Sequence, residues 1–165
     1  MKPPVTFDIP KSQRAVLVPA KVGADGAPVY LSAKEFKSLD VDWKTFLAAA
    51  QANATAELKK LTPDYTRNRK KVIEYATLTS DSELTASAVL SPEFLKIFAD
   101  TLGDKVIVVI PNRYTVYVFP VLASTYKDYM PMVSEAYRAT ARPVSMEVYE
   151  LSDKGLVTIG VYEEP

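Results

Sequence analysis

Asn112 and Arg113 form a lone polar step between two dense apolar runs, in KVIVVIPNRYTVYVFPV from Lys105 to Val121. A guanidinium in that position has two possible uses. It can hold an anion with its planar fork of donors, on a loop between central strands where a rigid scaffold presents binding groups. Or it can end a hairpin tip with its side chain in water, which is the commoner fate and the one the spacing favours. A second cationic group is RNRKK, with Arg67, Arg69, Lys70 and Lys71 inside five residues. Such a run suits phosphate or an acidic partner. Its ordinary counterpart is a solvated connection after a helix, whose C-terminal dipole favours cations such as Lys59 and Lys60. The ligand-binding candidates are therefore Asn112, Arg113, Arg67, Arg69, Lys70 and Lys71.

Other chemistry is sparse. The chain has no His and no Cys, which removes Ser-His-Asp triads, thiol nucleophiles, disulfides and ordinary zinc sites. STYK, Ser124 to Lys127, matches the spacing in which a lysine activates a serine for acyl transfer. Its companion motifs are absent, and Ser124 reads as a helix cap. Asp40 and Asp42 read as caps, and Glu147 and Glu150 as residues of a solvent-facing strand. Tyr114 and Tyr117 are three apart on a strand, so they point to opposite faces and cannot stack successive bases. Asn53-Ala54-Thr55 fits a glycosylation acceptor but falls inside a helical pattern. No catalytic residue, metal ligand or cofactor follows from the sequence.

Composition points the same way. Among 165 residues, 48% are hydrophobic, and 20 Lys and Arg balance 20 Asp and Glu. That is a chain able to bury a core, with no global field to draw nucleic acid or an anionic membrane; such binding needs a local patch. The expectation is a cytoplasmic protein without an N-terminal signal segment. It would bind neither nucleic acid nor membrane, and its partner is a protein or a small anionic ligand. A non-catalytic binding or interaction module fits best; the alternative is a small hydrolase or transferase working with Asp, Glu, Lys or Ser.

The elements that must position these groups read as an α+β fold, a mostly antiparallel sheet with helices packed on it. Residues 1–13, with three prolines, are expected as an extended arm before a single domain over 14–165. AVLVPA and VYL read as a small edge hairpin. Ser32 and Glu35 have capping-box spacing. Trp43, Phe46, Leu47, Ala50, Ala54, Leu58 and Leu61 recur at helical intervals over 42–61. A strand at 71–79 follows, then a short capped turn at Ser80–Glu83. A helix over 92–102 has Ser91 as its N-cap and Gly103 beyond its end.

Val106 to Ile110 is apolar on both faces, so it belongs at the centre of a sheet covered twice. Pro111-Asn112-Arg113 is expected as the turn into a strand from Tyr114 to Phe119. Residues 124–140 are helical in pattern, kinked or restarted at Pro131, and a closing hairpin turns at Asp153-Lys154-Gly155. From residue 71 the order is split-βαβ-like with one added strand. The helices at 92–102 and 124–140 are expected on one sheet face, with the 42–61 helix or a second subunit on the other.

TASAVLSPEFLKIF followed by VIVVIPNRYTVYVFP resembles the YtpQ-like bacterial family of unknown function. Ala86-Ser87 and Pro111-x-Arg113 are the matching positions, and LAAAQANATAEL also fits the outline, so the likeness spans about residues 30 to 150. Where the family pattern has an aspartate after the arginine, this chain has Tyr114. The resemblance implies bacterial origin and fold rather than a chemistry.

Overall fold

The computed structural model describes residues 4–122 and 125–162. Ser124 lies outside them. The fold is α+β, and its centre is strand β7, Val106–Asn112, in which every residue is buried. β7 pairs antiparallel with β8, Thr115–Pro120, on one side and β9, Glu147–Ser152, on the other. β10, Gly155–Val161, continues past β9, while β6, Ile73–Thr79, and β5, Asp64–Arg67, continue past β8. The six-stranded order is thus β10-β9-β7-β8-β6-β5.

The alternation of β7 divides the core in two. Val106, Val108 and Ile110 face one layer, with Leu78, Val116, Val118, Tyr149 and Leu151 around them. That layer is covered by α2, Trp43–Leu58, through Leu58, by the 3-10 turn Ala86–Leu90 through Ala88 and Val89, and by α3, Phe94–Ile97, with the adjoining Phe98. Ile107 and Val109 face the other layer, where α4, Met130–Arg138, brings Val133 against Phe119, Met146 and Val148. Each fully buried valine or phenylalanine contributes about 1.5–3 kcal/mol by leaving water.

The 42–61 and 92–102 segments therefore share a face, opposite the last helix, which reverses the expected layering. Topology gives the reason. β6 and β7 are parallel with β8 between them, and β8 and β9 are parallel with β7 between them, so two split βαβ crossovers interleave. Both crossovers step the same way across the sheet, but their starting strands run in opposite senses. Two crossovers of one hand then place their helices on opposite faces.

Several local expectations also change. The described part of the expected 1–13 arm, residues 4–13, joins the core: β1, Phe7–Asp8, pairs with β2, Val16–Leu17, and Ile9 is buried. Phe7 stacks on Trp43 at 3.7 Å, with Phe36 and Phe46 alongside. The edge hairpin consists of β3, Ala20–Val22, and β4, Pro28–Tyr30. β5 went unanticipated because Asp64, Tyr65, Thr66 and Arg67 carry no apolar alternation. The expected 92–102 helix makes one α turn and then tightens, since the Phe98 carbonyl accepts from the N–H groups of Thr101, Leu102 and Gly103. Gly103, at φ +101°, lets the chain leave that knot.

Other features match the pattern. The Ser32–Glu35 capping box opens α1, Ala33–Ser38, and Asp42 caps α2 by accepting from the Thr45 N–H at 2.7 Å. Pro131 sits in the first turn of α4, so the helical region restarts there after a 3-10 segment, Thr125–Tyr129. The closing hairpin turns through Asp153 and Lys154 into Gly155 at φ +96°.

Val108→Asp places a charge between two strands with no partner in reach. It should cost at least about 4 kcal/mol in urea denaturation or abolish folding. The same change at Val22, 59% exposed, should stay within about 0.5 kcal/mol. Stability should also fall at alkaline pH. Burial, opposed in part by a Ser145 hydrogen bond, pushes the Tyr149 phenol up from its ordinary value of 10.0 to about 12. The unfolded phenol then ionises first, so this stabilisation is complete below about pH 10 and lost as pH rises towards 12. Tyr149→Phe should flatten the alkaline limb of a stability–pH curve.

Candidate functional site

β7 does not end where the sequence suggests. Asn112 is its last residue, and the turn runs through Arg113 and Tyr114 instead of Pro111-Asn112-Arg113. Pro111 is tolerated in this central strand because the β7–β8 register shifts between Val109 and Asn112. The carbonyls of Ile110 and Pro111 accept instead from the N–H groups of Ser145 and Val144. Asn112 closes the turn with both ends of its amide. Its Oδ1 accepts from the Tyr114 N–H at 2.8 Å, and its Nδ2 donates to the Ala136 carbonyl at 2.8 Å. Buried and bonded at both ends of its amide, Asn112 holds the turn in shape.

Arg113 is not a side chain in water. Its Nη1 donates to Glu83 Oε1 at 3.0 Å, and its side chain is only 22% exposed. Its Nη2 donates to the Tyr30 hydroxyl, and its guanidinium carbon lies 5.2 Å from the Tyr30 ring centroid. The third member is Arg142, whose Nε lies 2.8 Å from the same Glu83 Oε1 in a second ion pair. One carboxylate oxygen thus holds two guanidinium groups.

Each partner is fixed by backbone. The N–H of Arg113 donates to the Arg142 carbonyl, while the carbonyls of Arg113 and Tyr114 accept from the N–H groups of Ala86 and Ser80. The 80–85 loop that carries Glu83 is itself tied by hydroxyls. Ser80 and Thr85 lie 2.6 Å apart, Ser80 accepts from the Ser82 N–H, and Thr85 donates to the Ser82 carbonyl. Glu83 therefore belongs to the arginine cluster and caps no helix.

The charge count does not balance. Two arginines face one glutamate, leaving one positive charge at a site where solvent is partly excluded. The excess falls on Arg142: its side chain is 53% exposed, and only its Nε has a partner among the described residues. Its terminal nitrogens form an open fork, held from behind by Glu83 and flanked by the half-open Arg113–Tyr30 pair.

The other sequence candidates fall elsewhere. Arg67, Arg69, Lys70 and Lys71 form the tip of the β5–β6 hairpin. β6 separates that tip from Thr79, which lies opposite Thr115 beside the Arg113 turn, so roughly 20 Å of strand divides the two cationic groups. Glu147, expected on a solvent-facing strand, is buried. Its carboxylate accepts from Ser12 Oγ at 2.7 Å and from the N–H groups of Gln13 and Arg14 at 3.2 and 3.1 Å. Among the described residues no group of three His, Cys, Asp or Glu converges in a way that could hold a metal ion. Nor, among those residues, is any helix long and apolar enough to cross a membrane. Sequence reasoning missed Tyr30, Glu83 and Arg142 altogether, because three loops distant in the chain bring them together.

No family model, no curated protein and no solved structure matches the chain. What can be said of this site rests on its geometry.

Arg113→Ala strands Glu83 with one partner and removes a largely buried ion pair. It should cost about 2 kcal/mol, below the 3–5 kcal/mol of a fully buried pair because the cluster keeps some access to water. Arg142→Ala should cost less than about 1 kcal/mol. Chemical denaturation of both variants and the double variant measures the two couplings and their non-additivity.

Proposed function

We propose that the chain is a non-catalytic binding module that takes an anionic group, a carboxylate or phosphate, at the Arg113–Arg142 pair. The observation that supports this is the uneven sharing of Glu83 Oε1, which sets the Nε side of Arg142 against Glu83 and leaves its terminal fork without a partner among the described residues. A planar fork of this kind matches a carboxylate or phosphate in two-point contact. Holding the side chain beforehand removes part of the ordering cost of binding.

Arg113 then acts as the inner member. Its own fork is spent on Glu83 and Tyr30, so it lends charge and shape while Arg142 makes the contact. Tyr30, 44% exposed, offers an apolar face beside the charge. An anionic group on an organic or peptide framework uses such a face better than a bare ion does. Resemblance to the YtpQ-like family would place the module in bacteria and adds no chemistry to it. The small-hydrolase alternative has less to support it: the carboxylate at the arginine pair, Glu83, is engaged by both guanidinium groups.

Titration of isotope-labelled protein with inorganic phosphate and with acetate, followed at the guanidinium N–H signals, tests the reading. Arg142 Nε–H should shift first and most, with an affinity on the order of millimolar for these minimal probes. Arg142→Ala should abolish the response with the fold intact. An unchanged titration in that variant, or no response at either arginine, would refute the assignment.

A further inference from the structure

The second cationic group, at the far end of the sheet, has a surrounding that the sequence did not show. Asn68 organises the β5–β6 tip: its Oδ1 accepts from the N–H groups of Lys70 and Val72, and its N–H donates to the Val72 carbonyl. Arg67 Nη1 donates to the Lys71 carbonyl at 3.0 Å. None of Arg67, Arg69, Lys70 and Lys71 has a carboxylate partner among the described residues. Their charges are thus presented together on a stiff turn, in a chain whose net charge is zero.

Apolar side chains stand bare beside these cations. Val72 is 57% exposed, and Leu122, two residues past β8, is 99% exposed. Ala76 is paired with Val118, so Val72 and Leu122 each lie four residues beyond that pair, at the same end of the sheet. Lys105, just before Val106 and opposite the end of β8, lies at that end too.

We propose that this end of the sheet is a docking surface for an anionic lipid bilayer, with the basic tip on the headgroups and Val72 and Leu122 entering the interface. Charge complementarity selects a polyanionic surface, and the two exposed apolar side chains select a bilayer over nucleic acid. No aromatic ring stands among residues 67–72 to stack a base. Stable attachment at a membrane surface takes two weak signals together, and a polybasic patch with apolar insertion supplies both. Each cation near an anionic leaflet is worth about five-fold in partitioning, so the four at the tip give on the order of several hundred-fold. The inference is independent of the arginine pair, which lies at the opposite end of the sheet.

Sedimentation with vesicles of phosphatidylcholine alone, or with about one third phosphatidylserine, tests it. The protein should bind the anionic vesicles and leave the neutral ones, with binding lost as salt rises to roughly 0.5 M. Arg69→Gln with Lys70→Gln, which spares the Asn68 turn and the Arg67 contact, should weaken binding about 30-fold. Val72→Ser should weaken it a few-fold with the salt dependence unchanged, and Arg142→Ala should have no effect. Equal binding to neutral vesicles, no binding to either, or an undiminished Arg69→Gln/Lys70→Gln variant overturns the proposal. So does a finding that the tip binds duplex or single-stranded DNA while ignoring the anionic vesicles.

Discussion

A strand with no exposed side chain has to be covered twice, and most of this structure is the means by which β7 is covered. Val106, Val108 and Ile110 require one apolar layer, and Ile107 and Val109 require another. Helices can supply both only if they arrive from opposite sides. The interleaved crossovers do this with two connections of the same kind. The alternative, both helices on one face, would leave Ile107 and Val109 against water. At about 25 cal/mol per Å² of apolar surface, that exposure would remove several kcal/mol from a fold whose total stability is of the order of ten.

Burial of the centre pushes polar chemistry to the two ends of the sheet, where strands become turns. At one end Glu83 is largely enclosed and paired with two arginines, so its charge is well compensated. The site it makes is structural and open at once: Arg113 faces inward and is needed by the fold, whereas Arg142 faces outward and is not. At the other end the cations of the β5–β6 tip form no ion pair with a carboxylate among the described residues. A formal charge of zero for the whole chain therefore conceals a local imbalance at each end, which composition cannot reveal.

How much was legible in the sequence follows from the range of each interaction. Local signals read well. The Ser32–Glu35 capping box, the Asp42 cap, Pro131 in the first turn of α4 and the Asp153–Gly155 turn all depend on neighbours a few residues away. The continuous apolar run at 106–110 announced a doubly covered strand, and it is one. The pairing β5 was invisible because its four residues have no alternation to mark them. The 92–102 segment had every mark of a helix, yet Phe98 and Gly103 draw its second half into a tight knot over the core, a tertiary demand that overrides propensity. The arginine cluster was half legible: Arg113 stood out by type, but Glu83, Tyr30 and Arg142 approach it from 30, 83 and 29 positions away, counting 142 minus 113 for the last. Only the path of the sheet places them together.

The grip of Glu147 on residues 12–14 bears on how such a chain is made. The carboxylate meets the Gln13 N–H across a separation of 134 positions, and Ile9, just before, is buried in the layer beneath β7. On a ribosome adding roughly 5–20 residues per second, residues 12–14 wait on the order of ten seconds before Glu147 exists. Phe7 has β2 and the rings around Trp43 within reach much earlier, and Ile9 shares a core cluster with residues from Leu58 onward. The contacts of Phe7 lie close in the chain, whereas the grip of Glu147 on residues 12–14 can close only once most of the chain has been made.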